Sequence, residues 1–124
     1  MIKNALITGA GKRIGRAIAI KLAKSGWNIA LHYNSSREEV EKLSTELHEE
    51  GVKSILVQAD LRVTENLERV IGEAKNALGP LTCLINNAAI FEPDRIDTVS
   101  GSSLTSHINT NLFAPVLLSK AFVE

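Results

Sequence analysis

The segment Leu6-Ile7-Thr8-Gly9-Ala10-Gly11-Lys12-Arg13-Ile14-Gly15-Arg16 constrains this chain more than any other. A short apolar run stops at Thr8, a glycine-rich turn follows, and a helical pattern starts at once. Gly9 lets the chain turn sharply off the strand, and Gly15 lets the helix pack closely on a sheet. The N-terminus of such a helix gathers unpaired amides and a partial positive charge, which suits the pyrophosphate of a nucleotide. The spacing Gly9-x-Gly11-x-x-x-Gly15 departs from the plain G-x-G-x-x-G dinucleotide fingerprint. A tight turn with no ligand is the other reading of the same residues.

The rest of the chain alternates strand and helix. Ala5-Leu6-Ile7 is apolar on both faces, as in a parallel sheet covered on both sides. Ile14, Ala17, Ile18 and Leu22 recur at helical spacing, and Ser25-Gly26 ends that helix. Trp27 to Tyr33 reads as the second strand. Ser36 and Glu39 predict a capping box on the next helix, whose stripe is Val40, Leu43 and Leu47 and whose end is Gly51.

Ser54 to Gln58 is the third strand. Thr64 is the expected cap of a helix carrying Leu67, Val70, Ile71, Ala74 and Leu78, stopped by Gly79-Pro80. Leu81 to Ile85 is the fourth strand. Phe91 to Ser103 reads as a long mobile loop. A final helix is expected from about Leu104, with Ile108, Leu112, Val116 and Val123 near one face. This order predicts a single α/β domain over residues 1–124: a doubly wound, Rossmann-like parallel sheet with strand order 3-2-1-4.

Composition narrows the function. Lys plus Arg equals Asp plus Glu, at 14 each, so neither a nucleic-acid surface nor a polybasic membrane patch is expected. No apolar run is long enough to span a bilayer, and Met1-Ile2-Lys3-Asn4 lacks the shape of a signal peptide. The single cysteine, Cys83, cannot form an internal disulfide, which fits the reducing cytoplasm. Cys83 sits in an apolar run and reads as a small buried hydrophobe rather than a reactive thiol. His48 and His107 have no partners at metal-ligand spacing, so both are expected at the surface and no metal site is expected. Glu38, Glu39 and Glu41 read as a solvated helix face.

Four motifs, in order, carry a family resemblance. Thr8-Gly9-x-x-x-x-Ile14-Gly15, Asp60-Leu61, Asn86-Asn87-Ala88-Ala89 and Asn111-Leu112-Phe113-Ala114-Pro115 together resemble the short-chain dehydrogenase/reductase family. Arg13 stands where the family's middle glycine falls, and Ala89 replaces the last glycine of Asn-Asn-Ala-Gly. The resemblance implies a nicotinamide cofactor held by Gly9, Lys12, Arg13, Ile14 and Gly15 in the turn. It adds His32, Tyr33, Asn34 and Ser35 after the second strand, Asp60 and Leu61 after the third, and Asn87, Ala88 and Ala89 after the fourth. Thr-Gly-x-x-Lys-Arg-Ile-Gly-Arg with Leu31-His32-Tyr33 is similar to the pteridine reductase branch, which reduces dihydropteridines or folates. A 3-oxoacyl-carrier-protein reductase is the neighbouring possibility. His32 resembles a residue of that branch's adenosine pocket; a packed strand histidine is the equal alternative.

The residues also choose between the two nicotinamides. An NAD site usually has an acid at the end of strand two, bonding the ribose 2′-hydroxyl. Tyr33 occupies that place, and Lys12, Arg13, Ser35, Ser36 and Arg37 offer charges and hydroxyls to a 2′-phosphate. NADP(H) is therefore expected. The competing view makes these residues a solvated helix start, although cations at a helix N-terminus oppose its dipole.

The family's acid, a Tyr-x-x-x-Lys pair, has no counterpart among these residues; the one tyrosine is Tyr33. The chain therefore reads as a truncated, N-terminal cofactor-binding part of a reductase, without turnover of its own. Asn111 matches the family's supporting catalytic asparagine. Pro115 has no amide hydrogen and cannot bond the Asn111 carbonyl, which in the family holds a water of a proton relay. Pro115 as a helix start or kink is the alternative. An open fourth strand and an apolar final helix predict a homo-oligomer. Two other functions remain open: a nucleotide-binding or assembly module without chemistry, and a structural fragment whose Arg13 has displaced a needed glycine.

Overall fold

The computed structural model describes all residues 1–124. The strands are β1 (Asn4–Ile7), β2 (Asn28–Tyr33), β3 (Ser54–Gln58) and β4 (Cys83–Ile85). The helices are α1 (Arg13–Lys24), α2 (Arg37–Glu49), α3 (Leu67–Leu78), α4 (Gly101–Ile108) and α5 (Ala114–Val123). The strands form one sheet in the order β3-β2-β1-β4, and every pairing is parallel. The sequence expectation of a doubly wound sheet with order 3-2-1-4 holds.

Two cores lie on opposite faces of this sheet, because neighbouring strand residues point to opposite sides. Leu6, Ala30 and Val57 pack with Val70 and Ala74 of α3 and Leu118 of α5. Ile7, Ile29 and Leu31 pack with Ala19 and Ala23 of α1 and Leu43 and Leu47 of α2. Both faces of β1 are covered, so Ala5, Leu6 and Ile7 are fully buried. The crevice forms at the carboxyl end of β1, where the connections pass from one side to the other. That is the usual ligand position in open α/β sheets.

The α1 stripe agrees with the sequence expectation at Ile18 and Leu22, which pack against the core, and departs from it elsewhere. Ile14 is 68% exposed, and the buried positions are Gly15, Ala19 and Ala23. The helix turns its smallest residues to the sheet, so close backbone approach outweighs the larger side chains. Helix α2 does bury Val40, Leu43 and Leu47, and Gly51 follows it at a φ of +82°.

The expected caps are not formed. Ser36 makes no side-chain capping bond, and Glu39 instead lies 3.7 Å from Lys12 across the turn. Thr64 opens a 3₁₀ turn over Thr64–Asn66, and α3 starts only at Leu67. Strand β4 begins at Cys83 rather than Leu81.

The loop after β4 ends earlier than expected. Ser100 caps α4, its hydroxyl accepting the Ser103 amide at 3.0 Å. The final helical segment is not continuous. Five residues, Asn109–Phe113, form a wider π turn between α4 and α5. Pro115 follows within the first turn of α5, where its missing amide is tolerated. The buried residues here are Thr110, Ala114, Leu118 and Ala121. Ile108, Leu112, Val116 and Val123 are all exposed, in keeping with a final helix that shows apolar surface.

Candidate functional site

The glycine turn is held from both neighbouring strands. The His32 Nε2 lies 2.8 Å from the Ala59 carbonyl and must donate to it. The His32 Nδ1 is then the acceptor for the Gly9 amide at 3.1 Å. Burial pushes the imidazole below its ordinary pKa, consistent with a neutral ring in that tautomer. From the other side, the Thr8 hydroxyl accepts the amides of Asn87 and Ala88 at 3.0 and 2.9 Å. The Asn87 amide group returns two bonds of 3.1 Å to the carbonyls of Thr8 and Gly9. The residues after β4 and those after β1 thus form one rigid unit.

The glycines are required by space. Gly9 has a φ of +61°, and a Cβ there would stand 3.0 Å from the Ala88 Cα. At Gly15 a Cβ would overlap the Gly9 carbonyl oxygen and lie 2.7 Å from the Asn87 Nδ2. Arg13 is the one non-glycine residue with positive φ, at +51°. It occupies the left-handed conformation that a glycine would take without strain.

The turn delivers α1 with its first amides unspent. Its earliest ladder bond runs from the Arg16 amide to the Lys12 carbonyl at 3.3 Å. Lys12, the cap residue, contributes no side-chain bond, and the first turn carries no acid. By contrast, α2 opens with Glu38 and Glu39 and α3 with Glu68. A helix start with no acid in its own first turn, and with Lys12 and Arg13 beside it, fits an anion, although Glu39 of α2 reaches Lys12 at 3.7 Å.

A cleft of about 520 Å³ opens at this point. Gly9, Lys12, Arg13 and Ile14 line it, as do His32, Tyr33, Asn34 and Ser35. Asp60 and Leu61 form a further wall, and Asn87, Ala88 and Ala89 another. Of the residues the resemblance assigns to the cofactor, only Gly15 stands apart from the lining, buried beneath the turn. Asn111 is also outside it. Its Oδ1 accepts the Ile90 amide at 2.9 Å and its Nδ2 donates to the Ile90 carbonyl at 2.8 Å, so it staples the loop to the helix. Arg37 turns away and pairs with Glu41 at 2.8 Å.

His32 is packed and also lines the cleft. His107 is half-buried rather than a plain surface residue: its Nδ1 donates to the Ser103 carbonyl and its Nε2 accepts the Glu92 amide. His48 lies exposed, 3.0 Å from the Ser54 hydroxyl. Burial pushes the Cys83 thiol up, away from a reactive thiolate. No group of three or more His, Cys, Asp or Glu side chains is placed to hold a metal. No helix is long and apolar enough to cross a membrane.

Arg62, Glu92, Ser106 and Thr110 also line the cleft and carry no motif. Ser106 and Thr110 are one helical turn apart, a spacing that marks a shared face. Thr110 is buried, and its hydroxyl has no partner within the protein. Asp60 is held below the usual carboxylate range by hydrogen bonds from the Arg62 side chain.

The match to known proteins agrees with this arrangement. Residues 3–124 match the short chain dehydrogenase family. The chain belongs to that family. It is 36% identical over 112 residues to the 3-oxoacyl-[acyl-carrier-protein] reductase FabG of Staphylococcus aureus, covering 90% of this chain and 46% of that protein. It superposes on FolM alternative dihydrofolate reductase 1 of Brucella suis, solved with NADP, with a TM-score of 0.91 and 31% identity. That match covers 97% of this chain and 50% of FolM. A short chain dehydrogenase of Burkholderia cenocepacia, also solved with NADP, gives 0.95 and 30%, over 98% of this chain and 49% of that one. The chain thus spans about half the length of the relatives it matches.

Proposed function

We propose that residues 1–124 are the cofactor-binding domain of an NADP(H)-dependent short-chain oxidoreductase. One observation carries this reading. The acid-free start of α1, with Lys12 and Arg13, faces a β2 end at Tyr33, Asn34 and Ser35 where no carboxylate stands. A pyrophosphate would take the free amides at the start of α1, and a 2′-phosphate would meet hydroxyls and the cations Lys12 and Arg13, competing with Glu39 for Lys12. Solved neighbours bound to NADP or NADPH support the same assignment.

When bound, the cofactor supplies hydride to a carbonyl or a pterin-like double bond. The residues here bind and orient. Gly9 and Gly15 shape the turn, and His32 and Asn87 hold it rigid. Asp60 and Leu61 wall the far end, while Ala88 and Ala89 close the side next to β4. The Asn111 carbonyl would hold the water of a proton relay, whose lysine is not among these residues. A proton donor is not among these residues, since the one tyrosine, Tyr33, is buried at the end of β2. The isolated 124 residues therefore bind cofactor without turnover.

For the substrate class we favour the pteridine reductase-like branch, with 3-oxoacyl-carrier-protein reduction as the alternative. The Thr8–Arg16 turn and the likeness to FolM support the first, and the likeness to FabG the second. The exposed stripe of Ile108, Leu112, Val116 and Val123 supports a homo-oligomer. The single free cysteine supports a cytoplasmic location.

Fluorescence titration of the chain with NADPH and NADH tests the reading. NADPH should bind at least about tenfold more tightly, the scale of one lost charge-assisted contact. Equal affinities would remove the assignment.

A further inference from the structure

The first turn of α2 packs directly on the glycine turn. A Cβ at Gly11 would stand 3.1 Å from the Val40 Cγ1, 3.2 Å from the Ser36 Cβ and 3.6 Å from the Glu39 Cβ. Glu39 is thereby brought beside Lys12, which lines the cleft, and its Oε1 lies 3.7 Å from the Lys12 Nζ. The cations around this turn differ in what they hold. Arg16 is bound by both oxygens of Glu46, at 2.6 and 2.7 Å, and Arg37 by Glu41 at 2.8 Å. Arg13 is in no ion pair. Lys12 is intermediate: its partner is one oxygen at a loose distance, and both side chains are about half exposed.

Helix polarity alone does not call for Glu39. A carboxylate in the first turn of a helix is favoured by the dipole, but Glu38 already stands in that turn, exposed and paired with no cation. A loose, exposed pair also adds little to stability. Its consequence falls on the anion that comes to Lys12. The lysine ammonium is a compact point charge on a flexible stem, so a phosphate arriving there must displace the carboxylate or share the ammonium with it. A ligand without that phosphate meets no such competition.

We propose that Glu39 is a specificity-determining residue of the cofactor site: its carboxylate holds Lys12 in place of a phosphate and so weakens the preference for NADP(H) over NAD(H). This rests on the NADP(H) reading of the cleft. Arg13, with no carboxylate to release, is the constant phosphate contact, and Lys12 is the adjustable one. Removing the charge of Glu39 raises the discrimination between the two cofactors, an effect that a purely structural residue would not give.

Calorimetric titration of the 124-residue chain with NADP+ and with NAD+ tests this, using the parent, Glu39→Gln, Glu38→Gln, Lys12→Ala and the double variant Lys12→Ala/Glu39→Gln. At about 0.05 M salt, where surface charges are little screened, Glu39→Gln should bind NADP+ about two- to fivefold more tightly, the scale of one exposed ion pair. Its affinity for NAD+ should not change. Glu38→Gln removes the same charge from the same turn and should leave both affinities as in the parent. In the Lys12→Ala chain, Glu39→Gln should give no gain, because the two residues act as a pair. A melting temperature within about 4 °C of the parent places the effect in binding rather than folding. Unchanged or weaker NADP+ binding by Glu39→Gln, an equal gain for NAD+, an equal gain from Glu38→Gln, or a gain that survives in Lys12→Ala would overturn the role of Glu39. A parent chain that binds NADP+ and NAD+ equally would instead remove the NADP(H) reading itself.

Discussion

The Nδ1 of His32 accepts the amide of Gly9 at 3.1 Å, so strand β2 holds the glycine turn through a side chain. The bond requires a neutral ring, because the Nε2 hydrogen is committed to the Ala59 carbonyl. Burial pushes the folded-state pKa of His32 below its ordinary value. The unfolded chain therefore takes up the proton first. Stability is full at neutral pH and falls as pH drops below about 6.5, by up to about 1.4 kcal/mol per unit. Asp60 and Asp94 also lie low, but their contributions are lost only as pH falls through the carboxylate range. Urea midpoints measured between about pH 7.5 and pH 5 should show the slope in the parent and a flatter line in His32→Gln. Parallel profiles would contradict the neutral-ring assignment.

Gly15 has no room for a methyl group. Gly15→Ala would drive a Cβ into the Gly9 carbonyl oxygen and toward the Asn87 Nδ2. Most of those atoms belong to the rigid unit of the turn, so the strain cannot be relieved by one side-chain rotation. A loss of about 1–3 kcal/mol is expected from chemical denaturation, together with weaker cofactor binding. A variant as stable as the parent would show that the turn relaxes freely.

Arg13 presents the opposite case. Its φ of +51° costs an L-residue about 1–2 kcal/mol. Arg13→Gly relieves that strain but adds freedom to the unfolded chain, worth about 0.4–1 kcal/mol in the other direction. Stability should be unchanged or slightly raised, while NADPH binding weakens through loss of the cation. Denaturation and titration on the same sample separate the two effects. A clear drop in stability would mean that Arg13 holds the turn together rather than serving a ligand.

Leu112 is 55% exposed on the stripe shared with Ile108 and Val116. Leu112→Lys places a charge at the centre of that stripe. Sedimentation should show an oligomer for the parent and a shift toward monomer for the variant. A parent that sediments as a monomer at high concentration would contradict the oligomer proposal.

The β1–turn–α1 unit was legible because glycine spacing and apolar runs are local signals. Strand order followed from the handedness of parallel crossovers, and β3 fell on Ser54–Gln58 as expected. On α1, Ile18 and Leu22 pack against the core as periodicity suggests, but Ile14 turns out and the fully buried positions are Gly15, Ala19 and Ala23. The sheet selects for closeness, which hydrophobicity does not report. The capping box at Ser36 failed for a tertiary reason, since Glu39 meets Lys12 from another element. The π turn of the last helical segment had no local signal, and it sets Thr110, Ala114 and Leu118 on the inward face. Arg62 and Thr110 reach the cleft through the fold alone, so no local pattern marked them.

The most direct test is a titration of the isotope-labelled chain with NADPH, followed through its backbone amide resonances. The largest shifts should cluster at Gly9 to Gly15, Tyr33 to Ser36, Asp60 to Arg62 and Ala88 to Ile90. NADH should give a weaker response, most reduced at Lys12, Arg13 and Ser35. Shifts centred on another surface, or none at millimolar NADPH, would contradict it.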